Sequence, residues 1–346
     1  MRQLRHLLFP SRDCRDAGHG PPGGAVHARR RRQVTDSPTR AALADLRVAA
    51  LIALAYLVAA PAARAQDIEP RQYSNTPVGV NFLVSGYSYT QGGVAFDSSL
   101  PLSNPDLETN SAVLGYARSL DLWGRSGKID AGVPYTWLSG TADYFGQPMQ
   151  RTVAGFGDPV VRLSVNLYGA PALQMKDFAA YQQDLIVGAA FQVSVPVGQY
   201  DDTHLVNLGT NRWFFKPSLG ASKAVGPWIW EATAAATFFT DNTDFLGGIR
   251  RSQEQLYSMQ GHLIRSFRAG MWGALDATYY WGGSTTLDGT ARNDRQRNWR
   301  VGATFTLPVN ARNSIKLAVS DGVSARTDNN YSQYGIFWQY RWGGGL

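Results

Sequence analysis

The chain ends in "YGIFWQYRWGGGL", Tyr334 to Leu346. Ile336, Trp338, Tyr340 and Trp342 recur at every second position, with Gly335, Phe337, Gln339 and Arg341 between them. Successive side chains of an extended chain point to opposite faces, so this spacing builds a strand with one large apolar face. A lone strand of that kind has nothing to bury its aromatics against. What covers them has to be sought in the rest of the chain.

The same pattern recurs from Pro77 onward. Runs of about twelve residues with apolar side chains at alternate positions are separated by clusters of Gly, Pro, Asn and Asp, the pattern of strands with two different faces. Twelve such runs fall near 78–90, 110–122, 128–144, 157–168, 184–199, 212–224, 227–240, 254–267, 271–282, 297–308, 313–324 and 332–342. In "KIDAGVPYTWL" the apolar set is Ile129, Ala131, Val133, Tyr135 and Trp137; in "NWRVGATFTLP" it is Trp299, Val301, Ala303, Phe305 and Leu307. The run from Leu185 to Val197 is the longest of these.

The connections predict the architecture. Long ones follow odd strands: "GGVAFDSSLPLSNPDLET", "FGQPMQRTVAGF", "YDDTHLVNLGTN", "DNTDFLGGIRRSQ" and "GSTTLDGTARNDRQ". Short ones follow even strands: "WGRSG", "VGP", "RAG" and "VNAR". An even number of antiparallel strands joined by brief periplasmic turns and long extracellular loops is the plan of an outer-membrane barrel. The fold class is therefore all-β, a transmembrane antiparallel up-and-down barrel of about 12 strands, in the bacterial outer membrane. "GAPALQMKDFAAYQQ" breaks the alternation and has apolar residues at helical spacing, so a small periplasmic helix is expected there. A soluble exported β protein is the competing reading. Its strands would usually be five or six residues long, against the nine to eleven that span a bilayer. Aromatics near run boundaries, among them Trp123, Trp137, Trp213, Trp228, Trp281 and Trp299, also favour the interfaces of a membrane.

Charge is distributed unevenly. Of the 33 Lys and Arg, eleven fall in residues 1–65, against four of the 26 Asp and Glu, so residues 66–346 hold 22 of each. The net charge of +7 thus resides in the amino-terminal segment, and no basic stripe remains to hold a nucleic acid. That segment divides into a basic extension, 1–46, and a signal peptide, 47–65. The apolar run "VAALIALAYLVAA" precedes Ala63-Arg64-Ala65, which predicts cleavage before Gln66 and an exported barrel over 66–346. The single cysteine, Cys14, lies in the part expected to be removed.

If the apolar set faces lipid, the intervening set lines the lumen. The candidates are Asp130, Asp158, Glu231 and Asp276 among anions, and Arg162, Arg212, Lys216, Arg300, Lys316 and Arg341 among cations. Two roles stand open for them: structural ion pairs, or a constriction that filters solutes. Arg118 shares parity with Leu114, Tyr116 and Leu120, so either it snorkels to an interface or a bulge shifts the register. No catalytic residue, cofactor or metal site is expected. The exported part holds only His204 and His262; Asp202-Thr-His204 lacks an Asp-x-Asp partner, and Ser266 is wrongly spaced from His262 for a phospholipase barrel.

The blocks "NFLVSGYSYTQGG", "LDLWGRSGKIDAGVPYTWLSG", "GFGDPVVRLSVNLYGAPAL", "VPVGQYD", "LVNLGTNRWFFKPSLGASK" and "WQYRWGGGL" together resemble the transporter family associated with the meta-pathway of phenol degradation. The resemblance runs from about Asp67 to the end. It implies an outer-membrane barrel of Gram-negative bacteria that passes aromatic or other hydrophobic compounds, and it supplies no ligand residues. The function expected is a channel for passive uptake of small hydrophobic or aromatic solutes, with a non-conducting structural or adhesive barrel as the alternative. Aromatic-rich loops such as that holding Phe96 and Leu100 would collect the solute. Expected partners are outer-membrane lipid and lipopolysaccharide, the solute itself, and the barrel-assembly machinery. The usual assembly signal ends on an aromatic, whereas here three glycines and Leu346 follow Trp342.

Overall fold

A computed structural model describes residues 68–93, 102–326 and 330–346. The expected extension, signal peptide and cleavage point lie outside these residues, as do Phe96 and Leu100. Among the described residues seventeen strands form, β1 (Val80–Gly92), β2 (Ser103–Leu122), β3 (Arg125–Tyr144), β4 (Gln147–Phe156), β5 (Val160–Tyr168), β6 (Leu185–Ser194), β7 (Phe214–Val225), β8 (Trp228–Phe239), β9 (Asn242–Phe245), β10 (Ile249–Gln253), β11 (Leu256–Arg268), β12 (Met271–Gly282), β13 (Thr285–Leu287), β14 (Thr290–Ala291), β15 (Gln296–Pro308), β16 (Asn313–Ser324) and β17 (Tyr331–Gly343).

Thirteen of them make one antiparallel sheet that closes on itself, because β2 pairs with both β1 and β3 and β1 pairs with β17 from Val80↔Gly343 to Gly92↔Tyr331. The wall has twelve staves, since β4 and β5 share one: β4 pairs with the outer half of β3 and β5 with its inner half. Closure pairs the first stave with the last, which satisfies backbone groups that no water could reach in lipid. The final strand thus finds its cover in the membrane on one side and the lumen on the other. Ile336 and Trp338 are exposed outward at 50% and 42%.

The apolar outer face ends in rings of aromatics. Trp338, Tyr340 and Trp342 stack in series at 6.0 and 5.5 Å near the end that holds the short turns. Tyr257, Trp281, Tyr279 and Trp299 form a chain near the opposite end, with centroids 4.7 to 5.5 Å apart. Such girdles mark the two membrane interfaces. The short turns suit tight hairpins: Trp123 and Gly124 between β2 and β3 both have positive φ, 56° and 77°, the conformation that matches strand twist. Arg118 sits on the outer face four residues before the end of β2. The β2–β3 register there is unbroken, so no bulge rotates it, and its position suits snorkelling to the interface.

Several expectations are corrected. Residues 145–156 are not a loop: Phe145 and Gly146 form a turn and β4 returns along β3. Its outward side chains, Pro148, Gln150, Thr152, Ala154 and Phe156, mix polar and apolar, as do the inward Met149, Arg151 and Val153, so the alternation that marks the other strands fades. The fourth run starts only at Val160, because Gly157, Asp158 and Pro159 interrupt the stave. The fifth ends at Ser194 rather than 199, where Pro196 lacks a donor for the ladder. Two expected loops contain β9, β10, β13 and β14, which pair into a second, four-stranded sheet. The periplasmic helix is a single turn, α1 (Met175–Phe178).

Candidate functional site

The lumen is filled from both ends. From the periplasmic end, residues 68–79 enter ahead of β1. Ile68 lies beside Gly302 of β15, Glu69 reaches Arg162 of β5, and the Arg71 backbone N–H donates to Glu231 Oε2 of β8 at 2.6 Å. Contacts with such widely spaced staves mean that the segment crosses the lumen. Tyr73 is its anchor, 2% exposed, with its hydroxyl 3.3 Å from Ser218 Oγ. Two glycines make its bed. A Cβ on Gly188 or Gly220 would lie 2.3 or 2.2 Å from the Tyr73 ring, closer than any side chain allows. The Arg71 guanidinium lies over the Trp272 ring at 5.5 Å.

Lumenal side chains form two rows set by strand register. In the first, Asp130, Arg162, Gln192 and Lys216 lie opposite one another on β3, β5, β6 and β7. Arg162 grips Asp130 with two hydrogen bonds, Nη2 to Oδ1 at 2.8 Å and Nε to Oδ2 at 3.3 Å, and its Nη1 pairs with Glu69. In the second, Ser222, Glu231, His262 and Asp276 are opposed on β7, β8, β11 and β12. His262 is 4% exposed and its Nδ1 lies 2.6 Å from Asp276 Oδ1, while Thr304 donates to Asp276 Oδ2 at 3.2 Å and Ser222 to Glu231 Oε1 at 2.9 Å.

Burial alone would push the Glu69 carboxyl up, but Arg162 above all, then Lys128 and Lys316, hold it down at about 2. Its side chain keeps 45% of its surface. That surface opens on a narrow polar cavity of about 30 Å³, lined by Glu69, Gln72, Arg162, Gln192, Lys216 and Gln260, with further small side chains.

The remaining candidates lie apart from these rows. Arg212 is near the extracellular mouth, where Nη2 donates to Gln253 Oε1 at 2.6 Å and the guanidinium covers the Phe239 ring at 4.5 Å. Arg300 lies over Tyr331 at 5.1 Å and Lys316 over Phe337 at 5.0 Å. Arg341 is at the periplasmic rim, its Nε donating to Ala311 O at 2.7 Å. Asp158 occupies the gap between β4 and β5, and its carboxylate accepts from Gly198 N at 2.9 Å, Thr210 N at 2.7 Å and Thr210 Oγ1 at 2.8 Å. It thereby pins the connection between β6 and β7 over the mouth.

That connection, residues 195–213, closes the extracellular end with apolar side chains. Leu205, Val206 and Leu208 pack on Leu107 of β2, Leu138 and Ala142 of β3 and Phe245 of β9, with Met149 and Val153 of β4 alongside. The lumen therefore has an apolar cap over a polar, charged middle.

The structure is thus a closed antiparallel barrel with aromatic girdles whose lumen is occupied by residues 68–79. The family model described as "Putative MetA-pathway of phenol degradation" matches residues 93–340. The chain belongs to that family. Among solved structures it is similar to the COG4313 outer membrane channel from Pseudomonas putida F1, at 20% identity and a TM-score of 0.66, covering 80% of this chain and 100% of that one. The TodX monoaromatic hydrocarbon channel deltaS2 mutant matches at 10% identity and a TM-score of 0.46, covering 77% and 90%. No curated protein matches. The protein is a bacterial outer-membrane barrel of the phenol-degradation family.

Sequence parity passed over lumenal groups that it had the means to find. Lys128 shares a face with Asp130, and His262 lies on the inward set of β11 with Ser258 and Gln260. Glu69, Arg71 and Tyr73 carried no such signal, because residues 68–79 have neither strand nor helix period. Tertiary contacts alone place them.

Proposed function

We propose that the protein is a channel for passive uptake of small hydrophobic or aromatic solutes, and not an enzyme. Family membership supports this, and so does the apolar cap: a solute leaving water at the extracellular mouth meets Leu107, Leu138, Leu205 and Val206 first. The observation that carries the reading is the division of the lumen into that cap and a polar middle filled by residues outside the wall. The resting cavity of about 30 Å³ is smaller than the roughly 150 Å³ that holds a benzene. Passage therefore requires residues 68–79 to move aside. Their contacts include hydrogen bonds, the Glu69–Arg162 ion pair, the Arg71–Trp272 ring contact and the inserted Tyr73, all made by side chains or backbone outside the strand ladder, so a local rearrangement can break them without opening the wall.

In this reading the leader is cleaved before Gln66, so that the mature chain starts close to the plug, and the last strand is what the assembly machinery engages. Lipopolysaccharide surrounds the extracellular rim. Uptake into liposomes containing the purified protein tests the function: flux of phenols or alkanoates above empty vesicles supports it, and none sinks it. The same small cavity favours a second reading, a non-conducting structural or adhesive barrel. Planar-bilayer conductance separates the two, and substitution of Arg162, Lys216 and Arg300 together alters conductance or selectivity only where a pore exists.

A further inference from the structure

The charges around the cavity at Glu69 do not balance. Around the cavity on the β3–β7 side, Lys128, Arg162 and Lys216 face two carboxylates, Asp130 of the wall and Glu69 of the entering segment, while Lys316 is shared between Glu69 and Asp276. Arg162 takes both carboxylates. Among the described residues Lys128 and Lys216 have no carboxylate within 4 Å, although Lys216 lines the cavity beside Glu69. Unpaired cations enclosed by low-dielectric walls draw in anions.

We propose that this cluster binds the carboxylate of a small organic acid, and that Glu69 occupies it as a tethered stand-in which an arriving carboxylate displaces. Glu69 is the one member that does not belong to the wall; it lies in the segment that enters ahead of β1. Arg162 already shows the required recognition, because its planar fork holds Asp130 in a bidentate pair and turns its remaining amine to Glu69. Lys216 supplies a compact second charge at the cavity edge, and Gln192, Gln260 and Ser218 supply neutral polar groups. The rest of the ligand is indicated by what leaves with Glu69. Ile68 vacates space beside Gly302, and Tyr73 vacates the slot between Gly188 and Gly220, which is shaped to an aromatic ring. The ligand is thus an acid whose body is an aromatic ring or a short aliphatic chain. The ionised state of Glu69 agrees with a site built for a carboxylate.

The inference rests on the channel reading for how the acid arrives, but not for whether it binds. Protein purified from outer membranes should bind sodium benzoate at least about tenfold more tightly than benzyl alcohol, which has the same ring and no charge. Because a docked stand-in lowers apparent affinity by the fraction of open sites and also competes for the cations, Glu69→Gln should tighten benzoate binding about tenfold, and by more than it tightens benzyl alcohol. Lys216→Gln should weaken benzoate binding several-fold. Calorimetric titration reads all three, and heat-modifiable gel mobility verifies that each variant is a folded barrel. Equal affinity for the two probes, or benzoate binding indifferent to Glu69→Gln, overturns the inference. Liposome flux separates the two readings. Benzyl alcohol flux without preferential benzoate binding leaves the channel and removes the site; the expected binding pattern without flux of either probe leaves the site and removes the channel.

Discussion

The extracellular and middle parts of the lumen are built on opposite principles. The cap is a small apolar core made of wall and loop, in which Leu107, Leu138, Leu205 and Leu208 exclude water. The middle is a set of charged rows satisfied largely by one another and by the entering segment, around the cavity at Glu69 and Arg162. Apolar packing is non-directional, so a cap can part and reseal around a greasy solute. Buried polar groups need specific partners, so the middle opens only when something replaces the contacts that residues 68–79 make. On the proposed channel reading, an entry that accepts by hydrophobicity would lie above a constriction that discriminates by charge and hydrogen bonding.

The sharpest break between the two regions is Tyr73→Ala. Removing a fully buried aromatic costs about 3–5 kcal/mol, and here it falls on the docking of a segment rather than on the barrel. Unitary conductance should rise and the segment should become sensitive to protease added from the periplasmic side; unchanged conductance would mean that the segment does not obstruct the path. Leu138→Ala should cost about 2–5 kcal/mol by the same logic but act on the cap. External protease should then cleave within 195–213 more rapidly, with conductance through the middle little altered. If the two variants give the same signature, the division of the lumen is wrong.

Asp158→Asn is a milder probe of the cap. One carboxylate accepts three hydrogen bonds there, and weakening that acceptor should cost about 1–3 kcal/mol, read as faster cleavage of the same connection without a change in apolar packing. The smallest effect concerns pH. The Glu69 carboxyl is depressed from 4.5 to about 2, so its contribution to docking is complete above 4.5 and is lost as pH falls from 4.5 through 2. Conductance recorded from pH 8 to pH 5 should show no change assignable to Glu69, with loosening only in more acidic solution. A step near neutrality that disappears in Glu69→Gln would contradict the assignment.

The wall was readable because a bilayer imposes period two on every strand it touches. β12 and β16 match their expected limits, 271–282 and 313–324, since lipid on one side and lumen on the other keep their faces distinct. Where lipid ends the signal weakens. β4 mixes polar and apolar residues on both faces and the four loop strands are short and largely polar, so "QPMQRTVAGF" looks like a loop although it pairs from Tyr144↔Gln147 to Tyr135↔Phe156. The site was half readable. Parity puts Asp130, Arg162 and Lys216 on the inner set, but it gives no height along the barrel and no partner. The opposition of Arg162 to Asp130 depends on the shifted stave at Gly157, Asp158 and Pro159, which one strand's pattern cannot reveal. Tyr73 is legible only from the other side, as the reason why Gly188 and Gly220 are glycine.

The central claim, that this barrel conducts small solutes once residues 68–79 yield, is tested most directly by uptake of benzyl alcohol and benzoate into liposomes carrying either the native chain or Tyr73→Ala. The account predicts flux above empty vesicles for the native protein and a clear increase for the variant. Vesicles with folded Tyr73→Ala that take up no more than empty ones would contradict it and leave a barrel that serves only as structure.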